Sequence, residues 1–320
     1  MKNFWKTLSV PFTVLAPMED VTDVVFREIV TMMAKPDVLF TEFTSADGLC
    51  SMGREITIKK LKLTPNQHPV VAQIWGTNLN NLSQAAKIVT ELNFDGIDIN
   101  MGCPDKTVMK KAAGAALTKN FKLAKEIINA VKKGTESKIP ISVKTRLGYD
   151  KIITQEWIQN LLEEDVQALT IHGRIATQKS LGEANWEEIA KAVEIKNKLS
   201  PNTVIIGNGD VKSIDHVLEK HNKYGVDGVM IGRGIFSNPW VFEKEQKDHS
   251  FADYQKYLFM HFKLFEDTWG KDKNFEIMKK FLKMYLNNFP NAKELRFSAM
   301  NGKTRVEIEK IIKEKLEIDS

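Results

Sequence analysis

The sequence has little cysteine: its 320 residues include two, Cys50 and Cys103. One disulfide would stabilise a chain of this length only slightly, and no CxxC spacing typical of a metal site occurs. We therefore expect reduced thiols, a reducing compartment and no metal. No apolar run approaches the roughly 20 residues that a membrane helix needs. The GxGxxG fingerprint of a dinucleotide-binding fold is also missing.

The charge balance is mildly basic. The net charge is +5, which is compatible with a polyanionic partner. Near the N-terminus Pro11 interrupts an apolar stretch, and residues 13–16 (TVLA) are more typical of a strand than of a signal sequence. We expect no targeting segment, no membrane association and a cytoplasmic protein.

Short β-rich runs alternate with helical patterns over the first three quarters of the chain. Several runs, such as Val38-Leu39-Phe40, are apolar without polar alternation, as in parallel strands buried on both faces. The predicted strands are 12–17, 37–42, 69–75, 95–100, 139–145, 168–172, 203–208 and 227–231. The predicted helices include 78–92, 121–133, 153–164, 185–198 and 212–223, with Asn185 and Ser213 as N-caps. Eight evenly spaced units favour an α/β TIM (β/α)8 barrel, with a doubly wound sheet as the alternative.

The pattern changes after about residue 246, where apolar residues recur at helical spacing up to the C-terminus. We predict a catalytic barrel over 1–245 and an all-helical domain over 246–320. Thr304 and Glu307 predict a capping box at the start of the last helix.

Candidate site residues, most of them polar, lie at or just after the carboxyl ends of the predicted strands, where a TIM barrel builds its active site. They include Pro17, Met18, Gln73, Asn100, Cys103, Lys144, His172, Arg174, Asn208 and Asp210. The glycines Gly209 and Gly232, with Arg233, follow the last two strands, where many barrels bind phosphate on backbone N–H groups. The alternative is that these glycines only form tight turns.

Several segments closely resemble the tRNA-dihydrouridine synthases. They are 15–27 (LAPMEDVTDVVFR), 98–117 (DINMGCPDKTVMKKAAGAAL), 141–148 (ISVKTRLG), 172–186 (HGRIATQKSLGEANW), 206–210 (IGNGD) and 231–240 (IGRGIFSNPW). The resemblance covers nearly the whole barrel in order, and 278–290 (MKKFLKMYLNNFP) is similar to the family's C-terminal domain.

The resemblance implies that FMN binds at the barrel mouth. Pro17 and Met18 would contact the isoalloxazine ring, Gln73 would bind its pyrimidine edge, and Lys144 would lie near N1 and the C2 carbonyl. The ribityl chain and phosphate would be held by His172, Asn208, Gly209, Asp210, Gly232 and Arg233. NADPH or NADH would be the electron donor.

The resemblance also implies the reaction, in which flavin N5 gives a hydride to C6 of uracil in tRNA and Cys103 protonates C5 as general acid. Asn100 would recognise the uracil, and Lys106 and Arg174 would contact the substrate. Further lysines of the loop after Cys103 and of the helical domain would meet RNA phosphates. They are Lys110, Lys111 and Lys119, and Lys279, Lys280 and Lys283 with Arg296. We expect a monomer.

The sequence departs from the family pattern at Glu19 and Asp20, where small residues are usual, and at Ser180, often Tyr. Two alternatives stay open. One is another FMN barrel acting on a free pyrimidine, similar to dihydroorotate dehydrogenase. The other is a non-catalytic RNA-binding barrel without flavin.

Overall fold

The structure, a computed structural model, describes residues 3–287 and 289–318, with side chains up to Lys315. Its contacts divide the chain into two compact units. The first comprises the residues up to Val24 and Pro36–Gly232, and the second comprises Val25–Lys35 and the chain from Arg233 onward.

The first unit is a closed barrel of parallel strands. Its strands are β1 (Phe12–Leu15), β2 (Val38–Phe40), β3 (Thr44–Ser45), β4 (Val70–Trp75), β5 (Gly96–Met101), β6 (Ile141–Arg146), β7 (Ala168–His172), β8 (Val204–Asn208) and β9 (Gly228–Ile231). The hydrogen-bonded order is β2-β1-β9-β8-β7-β6-β5-β4, and β4 pairs back with β2 to close the ring. The two-residue β3 pairs with β4. The eight predicted strands are thus confirmed to within two residues at each end, and the doubly wound sheet is wrong.

Apolar side chains fill the barrel interior. One buried cluster joins Trp5 to residues of β1, β2, β4, β7, β8 and β9, among them Phe12, Phe40, Ile206 and Met230. This cluster follows from the apolar strand runs, because strands buried on both faces need little polar alternation. Polar residues are thereby left for the carboxyl ends of the strands.

Helices connect the strands. They are α2 (Ala46–Leu49), α3 (Arg54–Thr57), α4 (Leu79–Glu91), α5 (Lys106–Lys110), α6 (Phe121–Thr135), α7 (Thr154–Leu162), α8 (Trp186–Leu199) and α9 (Ile214–Tyr224). The five predicted helices correspond to α4 and α6–α9. Both predicted N-caps are confirmed: the Asn185 side chain accepts from Glu188 N, and the Ser213 side chain accepts from His216 N.

In the residues that the structure describes, the second unit contains helices joined by turns and no strand. It contains α1 (Val24–Ala34) from Val25 onward, α10 (Phe251–Trp269), α11 (Leu282–Tyr285), α12 (Ala292–Ala299) and α13 (Arg305–Ile318). Stacked rings of Phe26 and Phe281, with centroids 5.3 Å apart, belong to its core.

The capping box predicted before α13 forms only by half. The hydroxyl of Thr304 accepts from Glu307 N at 3.3 Å. The Glu307 carboxylate, however, accepts from Lys303 N at 2.8 Å, one residue before the N-cap. In a capping box the Glu307 carboxylate would accept from the backbone N–H of Thr304. Here the hydrogen bond from Lys303 N takes the place of that bond.

None of the helices within residues 3–287 and 289–318 combines the length and the apolarity needed to cross a membrane.

Candidate active site

The barrel geometry brings the predicted polar residues to neighbouring strands at matching heights. In the strand register Gln73 pairs with Asp98, Asn100 with Lys144, and His172 with Asn208. In a parallel barrel the carboxyl ends of all strands meet at one rim, so these residues share the mouth.

Three side chains of β4 and β5 form a buried hydrogen-bonded row. Asn100 Nδ2 donates to Gln73 Oε1 at 2.9 Å, and Gln73 Nε2 donates to Asp98 Oδ2 at 2.7 Å. Asp98 also accepts from Ser142 Oγ at 2.6 Å. Gln73 and Asp98 have no exposed surface. Burial raises the pKa of Asp98 to about 6, against the lowering effect of its two hydrogen bonds and of the Lys144 charge.

Cys103 lies on the loop after β5 with both of its backbone groups hydrogen-bonded. Its N–H donates to Asn100 Oδ1 at 2.9 Å, and its carbonyl accepts from Ala115 N at 3.0 Å. Gly114 has φ +61°, and a Cβ there would lie 2.6 Å from the Cys103 carbonyl oxygen, so only glycine allows this close approach. The loop is therefore fixed on both sides of the half-buried thiol.

Burial raises the pKa of the Cys103 thiol, and the nearby Asp105 charge adds to the rise. A backbone hydrogen bond at Asp105 and the charges of Arg146 and Lys144 act the other way. The net shift keeps the proton on sulfur at neutral pH, which is the state that a proton donor needs.

Lys144 projects from β6 towards β8, with Nζ 3.4 Å from Asn208 Oδ1. Desolvation, together with the smaller effect of the Arg146 charge, lowers the pKa of its ammonium group to about 8. The charges of Asp98 and Cys103 have the opposite effect. Lys144 therefore carries a positive charge at neutral pH and loses it as the pH rises through about 8. It lies inside the ring of strand ends.

Arg174 and Asp210, predicted to bind substrate and cofactor, are paired with each other. Arg174 Nη2 lies 2.7 and 2.8 Å from the two carboxylate oxygens of Asp210. The same guanidinium binds the carbonyls of Leu181 and Gly182 and lies 3.1 Å from His172 Nε2. Only 2 % of Arg174 is exposed, so its contacts are those of a buried positioning group.

The loop after β8 makes a tight turn at Gly209. Gly209 has φ +136°, and a Cβ there would lie 2.5 Å from Ala184 Cβ and 3.5 Å from His172 Cδ2. Asp210 follows with φ 57°. Two successive residues with positive φ make a sharp turn here, and the contact with Ala184 requires glycine at position 209.

Other predicted cofactor residues lie at the ends of β1 and β9. Pro17 and Met18 are half-buried after β1. A Cβ on Gly232, after β9, would meet Ala16 Cβ at 3.4 Å and Met18 Sδ at 3.7 Å, so these strand ends are adjacent. Arg233 is exposed and begins the 3-10 helix Arg233–Phe236.

The loop after Cys103 carries the predicted basic residues on its surface. Lys106, Lys110, Lys111 and Lys119 are all exposed. Lys119 lies over the Tyr149 ring at 3.5 Å, and Lys111 lies over the Trp75 ring at 5.4 Å. Two of these four cations thus lie beside aromatic rings.

In the helical unit, a groove is lined by three of the four predicted cations, Lys279, Lys283 and Arg296. Lys293, Lys315 and Phe297 also line it, and Phe297 is 77 % exposed. The fourth predicted cation, Lys280, lies over the Phe281 ring.

The residues that depart from the family pattern form an acidic group. One carboxylate oxygen from each of Glu19, Asp20 and the neighbouring Glu42 lies within 4.8 Å of the other two. Lys60 forms an ion pair with Glu19, and Asp20 N donates to Glu42 Oε1 at 2.7 Å. Protein partners therefore offset part of this negative charge.

Sequence reasoning missed two buried charged residues, Asp98 and Arg146. Arg146 Nε donates to Gly102 O at 2.7 Å, and Nη1 donates to Lys179 O at 2.8 Å, so it links the Cys103 loop to the loop after β7. Both residues stand on strands otherwise rich in apolar side chains. A charged residue within a buried strand was the signal that could have identified them.

Comparisons with known proteins identify the family of this chain. The family model described as "Dihydrouridine synthase (Dus)" matches residues 14–318. A "Probable tRNA-dihydrouridine synthase" of Staphylococcus epidermidis is 40% identical over 315 residues, covering 97% of this chain and 95% of that protein. The "Probable tRNA-dihydrouridine synthase 2" of Bacillus subtilis is also 40% identical over 315 residues, covering 97% and 96%.

Among solved structures, a morphinone reductase variant in complex with tetrahydroNAD aligns with a TM-score of 0.53 at 11% identity. The alignment covers 75% of this chain and 88% of that one, and supports the barrel fold alone. The family match and the near full-length relatives show that this chain belongs to the dihydrouridine synthase family of enzymes.

Proposed function

We propose that this enzyme reduces uridine to dihydrouridine in tRNA, with FMN as cofactor and NADPH or NADH as electron donor. The observation that carries the proposal is the placement of the Cys103 thiol on a loop at the barrel mouth, fixed by hydrogen bonds at its backbone N–H and carbonyl and within electrostatic reach of Lys144. The printed names of the two bacterial relatives support tRNA as the substrate.

The residues at the mouth fit FMN by their chemistry. Gly209 allows a tight turn after β8, where a Cβ would clash with Ala184, and backbone N–H groups of a strand-to-helix loop at this rim suit a phosphate. Lys144 offers a cation for a ring that gains negative charge on reduction. Gly232, Arg233, Pro17 and Met18 stay predictions for the same cofactor. When bound and reduced, FMN supplies the hydride that goes to C6 of the uracil.

Gln73 and Asn100 have fewer side-chain hydrogen-bonding groups available to a ligand than the resemblance implies. Asn100 Oδ1 already accepts from Gly102 N and Cys103 N, and its Nδ2 is engaged with Gln73. We propose that their main role is to position Cys103. Likewise, we propose that Arg174 and Asp210 hold His172 towards the cofactor and do not contact the substrate directly.

Cys103 would give its proton to C5 of the uracil. Its raised pKa keeps the thiol protonated, and the fixed backbone on both sides limits its movement. Proton transfer by a positioned side chain contributes about 10²–10⁴-fold to a rate.

The uridine must leave the RNA stack to reach a barrel mouth, which costs a few kcal/mol. We propose that the exposed lysines of the loop after Cys103, including Lys106, offset this cost by binding phosphates. The groove around Phe297 offers cations and an exposed ring, a combination that suits RNA backbone and base stacking. We also propose that the enzyme works in the cytoplasm as a monomer.

The test uses purified protein, added FMN, NADPH or NADH, and unmodified tRNA, with dihydrouridine detected by mass spectrometry. We expect dihydrouridine to form on tRNA and no oxidation of NADPH with free uracil or orotate-type pyrimidines. Turnover on free pyrimidines alone would favour the dihydroorotate dehydrogenase-like alternative. Protein that stays colourless after incubation with FMN would favour the non-catalytic barrel.

A further inference from the structure

A row of hydrogen bonds connects the Cys103 backbone to a carboxylate inside the barrel. Cys103 N donates to Asn100 Oδ1, Asn100 Nδ2 donates to Gln73 Oε1, and Gln73 Nε2 donates to Asp98 Oδ2. These three bonds measure 2.9, 2.9 and 2.7 Å. The row therefore runs from the catalytic loop into the core without a gap.

All donors in the row point in the same direction, towards Asp98. A backbone N–H can only donate, so the amide of Asn100 must present its oxygen to Cys103 and its NH₂ group to Gln73. Gln73 must then present its oxygen to Asn100 and its NH₂ group inward. The row needs an acceptor at its inner end, and a carboxylate is the side chain that accepts without donating.

Asp98, at the inner end of the row, is well suited to keep the hydrogen-bond donors oriented towards it. Asp98 has no exposed surface, and its second oxygen accepts from Ser142 Oγ at 2.6 Å. Hydrogen bonds in a row polarise one another, and those to an ionised acceptor are the strongest. An orientation set at Asp98 is thus transmitted by two buried amides to the peptide that carries the thiol.

We propose that Asp98 is a positioning residue for Cys103, acting through Gln73 and Asn100. The proposal rests on the proposed role of Cys103 as proton donor. Asp98 itself contacts neither substrate nor cofactor. Its removal frees the Cys103 loop, so the thiol becomes less buried, more ionised and more reactive.

The test follows the reactivity of one thiol. Cys50→Ser leaves Cys103 as the only cysteine, and the serine can still donate to Asn81 O as the Cys50 thiol does. In this background, iodoacetamide alkylation of purified full-length protein is measured against pH, with and without FMN. Asp98→Ala and Gln73→Met should each raise the rate at neutral pH by at least about threefold and shift the midpoint to lower pH.

Two further variants separate positioning from general damage. Ser142→Ala removes the other hydrogen-bond partner of Asp98 without breaking the row, so its alkylation profile should match the parent. Asp98→Asn keeps the shape and one acceptor, and should fold; we expect it to lie between the parent and Asp98→Ala.

Alkylation profiles of Asp98→Ala and Gln73→Met that superimpose on the parent would overturn the proposal, and the Met variant alone suffices if the Ala variant does not fold. Equal acceleration by Ser142→Ala would also overturn it, because a general loosening of the core would then explain the result. Dihydrouridine formation is not needed for this readout. Failure of the proposed function and failure of the positioning role can therefore be told apart.

Discussion

Arg174 donates a hydrogen bond from Nη1 to Nε2 of His172 across 3.1 Å. Because a guanidinium can only donate, Nε2 must be the unprotonated nitrogen, and the ring proton is on Nδ1. Arg174 is held in turn by Asp210 and by the carbonyl of Gly182. A residue buried behind the mouth thus sets which nitrogen His172 can use as a donor.

Replacement of Arg174 should weaken flavin binding. Arg174→Met removes the guanidinium hydrogen bonds to Asp210, to the Gly182 carbonyl and to His172 Nε2, at a cost of about 1–3 kcal/mol. We expect FMN affinity, measured by fluorescence titration, to fall by about tenfold or more. Lys191→Met, which removes an exposed partner of Glu188, is the control and should keep parental affinity.

The charge of Lys144 should make FMN binding depend on pH. Its pKa of about 8 means that the ammonium is charged below this pH and neutral above it. FMN affinity of the cofactor-free protein should therefore decrease as pH rises from 7 to about 9. In Lys144→Gln, affinity should be lower at pH 7 and this decrease should be missing. Equal pH dependence in both proteins would rule Lys144 out as its source.

Asp98 should also affect stability in a defined pH window. Its pKa is raised from 3.8 to about 6, so the folded protein retains a proton that the unfolded chain releases. The contribution of Asp98 to the free energy of unfolding is then fully present below about pH 4. It decreases as the pH rises to 6, by on the order of 3 kcal/mol. Denaturation of the parent and Asp98→Asn should show the parent losing stability relative to the variant across this window. A constant difference would contradict the raised pKa.

Gly209 should tolerate no side chain. Alanine there would combine φ +136° with a Cβ 2.5 Å from Ala184 Cβ, and backbone strain of this kind costs about 1–3 kcal/mol. We expect Gly209→Ala to lower both the thermal midpoint and FMN affinity. Gly53→Ala has an ordinary φ of −80° and a nearest contact of 3.4 Å. It should leave both unchanged.

The strands of the barrel were predictable because burial on both faces leaves an apolar run in the sequence. Runs such as Val38–Phe40 therefore appear directly as strands. Short-range caps such as Ser213 were predictable for a similar reason, since their partners lie three residues away. The capping box at Thr304 was only half right, because a competing backbone donor, Lys303 N, lies just one residue further from Glu307 in sequence.

The internal contacts of the site could not be predicted in the same way. Arg174 meets Asp210 from 36 residues away, and Arg146 meets Gly102 from 44 residues away. Their partners depend on strand register and loop shape, which residue patterns do not contain. Sequence reasoning therefore identified which residues reach the mouth but assigned Arg174 to the substrate, whereas its donors are engaged within the protein.

Cys103→Ala tests the account most directly. The variant should bind FMN as the parent does, because Cys103 contributes no predicted cofactor contact, and its reduced form should fail to convert tRNA uridine to dihydrouridine in a single turnover. The expected loss is about 10²–10⁴-fold in rate. In the parent, whose thiol must keep its proton, the rate should decline as pH rises through the raised pKa of Cys103. Dihydrouridine formation by Cys103→Ala at the parental rate, with FMN bound, would contradict the assignment of this thiol as the proton donor.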